Sequence, residues 1–92
     1  MAVLRHGTVN GTTVIVDLGA NYRNIEILNR DGGDELWIQL DPEGSPTLAA
    51  EANDLEVIPA AIGSLNLQSR SSGNTRVALY SATATKYSIK AE

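Results

Sequence analysis

Hydrophobic and polar residues alternate with a period of two along most of the chain. The segment "TTVIVDL" places Val14, Val16 and Leu18 on one face, and "YRNIEILN" does the same with Ile25 and Ile27. Such alternation is typical of strands that have one face on a hydrophobic core and the other in solvent. The segments "ELWIQLD", "SLNLQS", "TRVALYS" and "KYSIKA" repeat the pattern.

The alternating segments predict an all-β fold. Val57 and Ile58 add a short strand that stops at Pro59, because proline cannot donate to a strand ladder. Together the segments give about seven short strands in an antiparallel β-sandwich, either immunoglobulin-like or jelly-roll-like. We expect a single domain over residues 1–92, in which residues 1–7 form an N-terminal arm.

The links between the strands carry turn residues. Asn10–Gly11 is a dipeptide preferred in two-residue hairpins. The segment "RDGGDE", residues 30–35, combines Asp and Gly and predicts a turn between two strands. Residues 46–54, "PTLAAEAND", are predicted to form a long connection that crosses from one sheet to the other, with room for a single helical turn.

Composition restricts how the fold is stabilised and where the chain is found. The 92 residues include no Cys and no Phe, so Val, Ile and Leu must supply most of the core and no disulfide can form. No run approaches the roughly 20 apolar residues of a membrane span, and the N-terminus lacks the apolar region of a secretory signal. We therefore expect no membrane contact and synthesis in the cytoplasm.

Charge is unevenly distributed. The net charge of −4 argues against nucleic acid as a partner, because duplex binding depends on neutralising phosphates. No Lys or Arg occurs at residues 31–69, whereas the last quarter is basic. Either neighbouring strands interleave the two segments and cancel the asymmetry, or an acidic edge faces a basic partner or the basic edge of another copy.

Catalytic and metal-binding motifs are absent from the sequence. An EF-hand loop counted from Asp31 fails, because Gly33 is third and Leu36 sixth. With one His and no Cys a zinc site is disfavoured, and neither a nucleophile elbow nor a phosphate-binding loop is present. We expect no enzyme, cofactor or metal, with a weak calcium site and a serine triad that uses His6 as alternatives.

Exposed aromatic and acidic residues are the candidates for binding a partner. If Leu36 and Ile38 face the core, Trp37 faces outward, as does Tyr80, and exposed aromatics are enriched at interfaces. The alternative is that the long connection or the N-terminal arm covers Trp37. The predicted interface residues are Val3, Leu4, Asp31, Asp34, Glu35, Trp37 and Tyr80.

Several segments together resemble a known family. "NYRNIEILNR", a turn and "ELWIQLD" look like the hairpin of small β-sandwich proteins in the structural modules of tailed bacteriophages. The element "VIPA", the strand "SLNLQS" and the ending "TRVALYSATATKYSIKAE" extend the resemblance over residues 7–91. Its motifs are shared with immunoglobulin-like modules.

This resemblance implies a virion protein without catalytic residues. It suggests a capsid decoration or cement protein on the outer surface of the head, with the major capsid protein or other virion proteins as partners. It also implies a homo-oligomer, such as a trimer, that is assembled into the virion in the host cytoplasm. The alternatives are another virion component (tail, connector or fibre base) and a carbohydrate- or receptor-binding β-sandwich that uses Trp37 and nearby acids.

Overall fold

The computed structural model describes residues 3–42, 44–50, 52, 55–68 and 74–92. These residues contain eight β-strands and no helix, so none of their elements is a helix that could cross a membrane. The strands are β1 (Val3–Val9), β2 (Val14–Tyr22), β3 (Asn24–Asn29), β4 (Leu36–Leu40), β5 (Glu56–Ile58), β6 (Gly63–Gln68), β7 (Asn74–Tyr80) and β8 (Thr85–Ala91).

The eight strands form two four-stranded antiparallel sheets. One has the order β1-β8-β3-β6 and the other the order β2-β7-β4-β5. The chain changes sheet at almost every link, and only β4 and β5 follow one another within a sheet. Two four-stranded sheets wound in this way are a jelly roll. The predicted all-β antiparallel sandwich is confirmed in its jelly-roll-like form.

The interior is filled mainly by aliphatic residues, most of which the alternation placed inward. They interdigitate between the two sheets and are almost completely inaccessible to solvent. The buried cluster comprises Val9, Val16, Leu18, Ile25, Ile27, Leu36, Ile38, Ile58, Val77, Leu79, Tyr87, Ile89 and Ala91. Burial of apolar surface on this scale is the main force that holds the two sheets together.

Strand β1 replaces most of the predicted N-terminal arm. Residues 3–9 pair with β8 along their whole length, so residues 3–7 are part of the sheet. The alternation is hard to see here, because Gly7 stands at an inward position where an apolar side chain is expected. Tyr87 from β8 covers that glycine, and a Cβ on Gly7 would lie 2.6 Å from the Tyr87 hydroxyl oxygen. The aromatic ring supplies the packing that glycine lacks.

The link at Asn10–Gly11 differs from the predicted hairpin. It joins β1 of one sheet to β2 of the other through residues 10–13. Gly11 does adopt a positive φ of 71°, which suits glycine. The turn at residues 30–35 likewise joins strands of different sheets, β3 and β4. It is the predicted turn, although the two strands do not form a hairpin.

The connection between β4 and β5 was predicted to cross between sheets, and this prediction is wrong. The two strands are hydrogen-bonded neighbours in one sheet, and the connection folds over the outer face of that sheet instead. The guanidinium of Arg76 on β7 donates to the carbonyl oxygens of Pro42 and Gly44. Further along, the Leu48 backbone N–H donates to Thr13 Oγ1 at 2.9 Å, which ties the connection to the start of β2.

Candidate functional site

Four turns meet at one end of the sandwich, which we call the loop end. They are residues 10–13, 30–35, 59–62 and 81–84. The strand register brings them together, since Asn29 at the end of β3 is opposite Tyr87 on β8 and Gly63 on β6. Function in β-sandwiches is commonly carried by turns that a rigid scaffold positions in this manner.

Asn29 is the buried centre of the loop end. Its side chain is fully buried, and its Nδ2 donates to the carbonyl oxygens of Asp34 at 2.9 Å and Pro59 at 3.2 Å. Its Oδ1 accepts from the Gly32 N–H at 2.8 Å. One amide therefore ties the turn 30–35 both to itself and to the turn 59–62.

Glycines let the turn 30–35 fit closely between its neighbours. A Cβ on Gly32, whose φ is +67°, would lie 3.1 Å from the Ala61 Cα in the turn 59–62. A Cβ on Gly33 would lie 2.5 Å from the Ala84 carbonyl oxygen on the other side. Real Cβ atoms do not approach backbone as closely as 2.5 Å, and the positive φ of Gly32 disfavours other residues, so both positions favour glycine.

The acids of this turn fasten it to the turn 81–84 and to the start of β8. Asp31 Oδ1 accepts from the backbone N–H groups of Gly33 at 3.0 Å and Lys86 at 3.2 Å. The pKa of Asp31 is lowered chiefly by the hydrogen bond from Gly33, and Lys86 lowers it further. Asp34 accepts from the Glu35 N–H at 2.8 Å and from the Thr83 hydroxyl at 3.2 Å.

A hydroxyl network continues to the turn 10–13. Ser81 and Thr85 are fully buried and their hydroxyl groups are 2.9 Å apart. Thr85 Oγ1 also donates to the Thr83 carbonyl oxygen at 3.1 Å. The Gly11 N–H donates to the Ser81 carbonyl oxygen at 2.8 Å. All four turns are thus linked into one unit.

The loop end presents an apolar surface to solvent. Ile62 is 73% exposed, which is the highest exposure among the large hydrophobic residues that the structure describes. Small apolar residues of the same four turns are also exposed, namely Pro59, Ala60, Ala61, Ala82 and Ala84, and the turn 30–35 adds the exposed acids Asp31 and Glu35. An apolar centre with a charged margin is characteristic of protein-binding surfaces.

Trp37 does not lie on this surface. It does point away from the core, as predicted, but only 9% of it is exposed. The alternative in which Trp37 is an exposed anchor is therefore wrong. Its cross-strand neighbours are Tyr80 and Val57, and the connection between β4 and β5 passes over the same face, where Leu48 is also buried. A carbohydrate site based on an exposed Trp37 is excluded with it.

The remaining predicted interface residues are dispersed. Tyr80 is half-buried on the outer face of β7, and Val3 packs partly buried against the core of its own chain. Leu4 is 56% exposed on β1, at the edge of the other sheet. Only Asp31, Asp34 and Glu35 share the loop end. Asn29 and Ile62 were missed, although Asn29 continues the inward series of Ile25 and Ile27.

The remaining chemical candidates are a metal site and a catalytic pair that includes His6. In the part of the chain that the structure describes, no three His, Asp or Glu side chains converge as a metal site. His6 Nδ1 is 2.7 Å from Ser88 Oγ, its cross-strand neighbour. The pair lies on the outer face of β1 and β8.

Comparisons with known proteins identify the fold. No family model and no curated protein matches the chain. A structure of PirA is 17% identical with a TM-score of 0.65, covering 97% of this chain and 93% of that one. A de novo designed double-stranded β-helix is 17% identical with a TM-score of 0.55, covering 98% and 99% of the two chains.

A third solved structure comes from a natural assembly. It is described as Bacillus endospore appendages that form a novel family of disulfide-linked pili. It is 16% identical with a TM-score of 0.61, and the match covers 99% of this chain and 82% of that one. At these identities the likeness is one of fold.

Proposed function

We propose that this chain is a non-enzymatic structural protein of a tailed-bacteriophage virion, a capsid decoration protein that binds the outer surface of the head. The observation that carries the proposal is the loop end, where four interlinked turns expose Ile62 in an apolar surface. The sequence resemblance to small virion β-sandwiches supplies the virion context. The jelly-roll fold is compatible with it, because viral capsid domains also use this fold.

The rigidity of the loop end favours binding. A turn that must be ordered when it binds reduces affinity, whereas a turn that is already fixed does not. The turn 59–62, which carries Ile62, is held by the Asn29–Pro59 hydrogen bond and by close contact with Gly32. Most of the apolar contact area can then contribute directly to affinity.

This chain cannot form disulfide links between its copies. The endospore appendage protein shares the fold and is described as disulfide-linked, but this chain contains no Cys. Its contacts with a major capsid protein or with other virion proteins would depend on surfaces such as the loop end. Homo-oligomers, such as trimers, would add avidity by binding several sites at once. The chain would then be located in the virion.

Binding to phage heads tests the proposal. Heads that lack the protein are mixed with the labelled full chain, and bound protein is measured after sedimentation. We expect saturable binding with a fixed number of copies per head. Ile62→Ser removes apolar surface worth about 2 kcal/mol if it becomes buried, which is roughly a thirtyfold loss of affinity. Leu4→Ser is the matched control, because Leu4 is also large, apolar and exposed.

Each outcome has a definite meaning. No saturable binding to heads refutes the decoration role, and binding to tails instead supports another virion position. Loss of binding by Leu4→Ser but not by Ile62→Ser moves the contact to the edge of β1 and refutes the loop end as the docking surface. Light scattering during gel filtration measures the oligomer, and a monomer at all concentrations refutes the proposed trimer.

A further inference from the structure

A groove lies on the outer face of the β2-β7-β4-β5 sheet, beneath the connection between β4 and β5. Its volume is about 550 Å³, which is within the usual range of small-molecule sites. The half-buried side chains of Thr13, Ile15 and Tyr80 form its floor. The turn 10–13 forms one wall and residues 45–47 form the other. We call it the outer groove.

The walls of the outer groove are fixed by hydrogen bonds. The Gly11 N–H donates to the Ser81 carbonyl oxygen at 2.8 Å, which holds the first wall against the turn 81–84. Arg76 Nη2 donates to the Gly44 carbonyl oxygen at 2.7 Å, just before the second wall. The Leu48 N–H donates to Thr13 Oγ1 at 2.9 Å, just after it. The site is therefore formed before any ligand enters.

The lining combines hydroxyl groups with apolar surface and carries no charge. Five of the eight lining residues bear a hydroxyl, and none is an Asp, Glu, Lys, Arg or His. A charged ligand would lose hydration here without gaining a counter-charge. Each hydroxyl both donates and accepts, so even Thr13 still has a proton to donate while it accepts from Leu48. The Tyr80 ring, Ile15 and Pro46 supply the apolar part.

We propose that the outer groove binds a neutral saccharide of one or two rings. A pyranose has an apolar C–H face, which fits the ring of Tyr80 and the side chain of Ile15. Its hydroxyl groups donate and accept in turn, which fits Thr12, Thr47 and the other hydroxyls of the lining. The site does not use Trp37, which is buried, and it is independent of Ile62 and of the proposed attachment to heads.

An NMR titration of the full chain tests this site. The ligands are glucose, galactose, mannose, N-acetylglucosamine and disaccharides of these, each added up to about 50 mM so that millimolar binding is detected. We expect at least one of them to cause saturable shifts of the amide signals of Thr12, Thr47 and Tyr80. N-acetylneuraminic acid, which is charged, is the comparison ligand and should cause none.

Substitutions assign the shifts to the groove. Thr47→Val keeps the shape of the side chain and removes one hydroxyl, so binding should weaken about fivefold. Thr8→Val is the matched control, because Thr8 is an exposed threonine on the other sheet. The affinity of this variant for the sugar should equal that of the wild type. Tyr80→Phe should weaken binding about as much as Thr47→Val, and Tyr80→Ala should abolish the saturable shifts. The amide spectrum of each variant shows that it is folded.

Four results would overturn the proposal. The first is the absence of saturable shifts with every neutral sugar. The second is equal affinity of Thr47→Val and Thr8→Val for the sugar that binds, and the third is tighter binding of N-acetylneuraminic acid. The fourth is a shift of the groove signals with protein concentration alone, which would assign the groove to a second copy of the chain. Since Ile62→Ser leaves the groove intact, head binding and sugar binding can fail separately.

Discussion

Replacement of the buried Asn29 by alanine should strongly destabilise the protein. The substitution removes three hydrogen bonds to the backbone of Gly32, Asp34 and Pro59. At about 1 kcal/mol net for each bond, the loss is about 3 kcal/mol, and more if the orphaned groups stay buried. The free energy of unfolding of a whole domain of 92 residues is roughly 5–14 kcal/mol. Asn29→Ala should therefore lower Tm by about 12–24 °C.

Urea unfolding followed by tryptophan fluorescence measures this loss. Trp37 is the only tryptophan and is buried, so its emission reports unfolding of the sandwich. The matched control is Asn24→Ala, at the other end of the same strand, because the Asn24 side chain is exposed. This control should change the free energy of unfolding by less than about 0.5 kcal/mol. A similar small change in Asn29→Ala would refute the central role of Asn29.

The isosteric variant Asn29→Asp separates hydrogen bonding from packing. Its carboxylate would face the carbonyl oxygens of Asp34 and Pro59, which now accept from Nδ2. Repulsion and burial would raise the pKa of the new carboxyl in the folded state. Relative to wild type, the variant should then lose stability as the pH rises above about 4, whereas Asn29→Ala should show no such trend. Equal pH profiles of the two variants would contradict the assigned orientation of the amide.

Three further substitutions test the packing and the electrostatics of the fold. Gly33→Ala should lower the free energy of unfolding, measured by thermal unfolding, by about 1–3 kcal/mol, because the new Cβ would collide with the backbone. Gly63→Ala is the control and should leave the stability nearly unchanged, because the space around Gly63 is open. Because folding lowers the pKa of Asp31, its carboxylate stabilises the fold above about pH 4, and this stabilisation is lost at lower pH. Asp31→Asn should therefore reduce the loss of folding stability that wild type shows as the pH falls below about 4. Arg76→Met should release the start of the β4–β5 connection and make Trp37 more accessible to acrylamide quenching; unchanged quenching would show that other contacts keep Trp37 covered.

The period-two pattern predicted the strands well because it reflects which face of a strand is buried. It does not identify the partner of a strand, and in this jelly roll nearly all pairs are distant in sequence. For this reason the hairpin at Asn10–Gly11 and the crossing between sheets at residues 46–54 were both predicted wrongly. Strand β1 was missed because Arg5 and Gly7 stand at positions where the pattern requires apolar residues.

The candidate site was only partly predictable. Asp31 and Asp34 were recognised as turn acids, but their hydrogen bonds to Lys86 and Thr83 span about half the chain and leave no local signal. The outward direction of Trp37 followed from its neighbours, whereas its burial involves parts of the chain that are distant in sequence and leave no local signal. A local signal did exist for Asn29, because a polar residue at an inward position after two isoleucines needs buried partners.

The two outer sheet faces differ in a way that limits where partners can bind. On the β2-β7-β4-β5 sheet the outward-pointing Trp37 and Ala78 are both buried, and the chain's own connection passes over this face. Their apolar surface stabilises the fold and is not available to another protein in this conformation. The outer face of the other sheet carries polar and charged side chains, such as His6 and Lys90, beside the exposed Leu4. Among the large hydrophobic residues that the structure describes, Ile62 is the most exposed, and it lies in the hydrogen-bonded turns of the loop end together with exposed small apolar residues. This combination is why a macromolecular partner is assigned to the loop end, and a small neutral ligand to the groove that the connection leaves open.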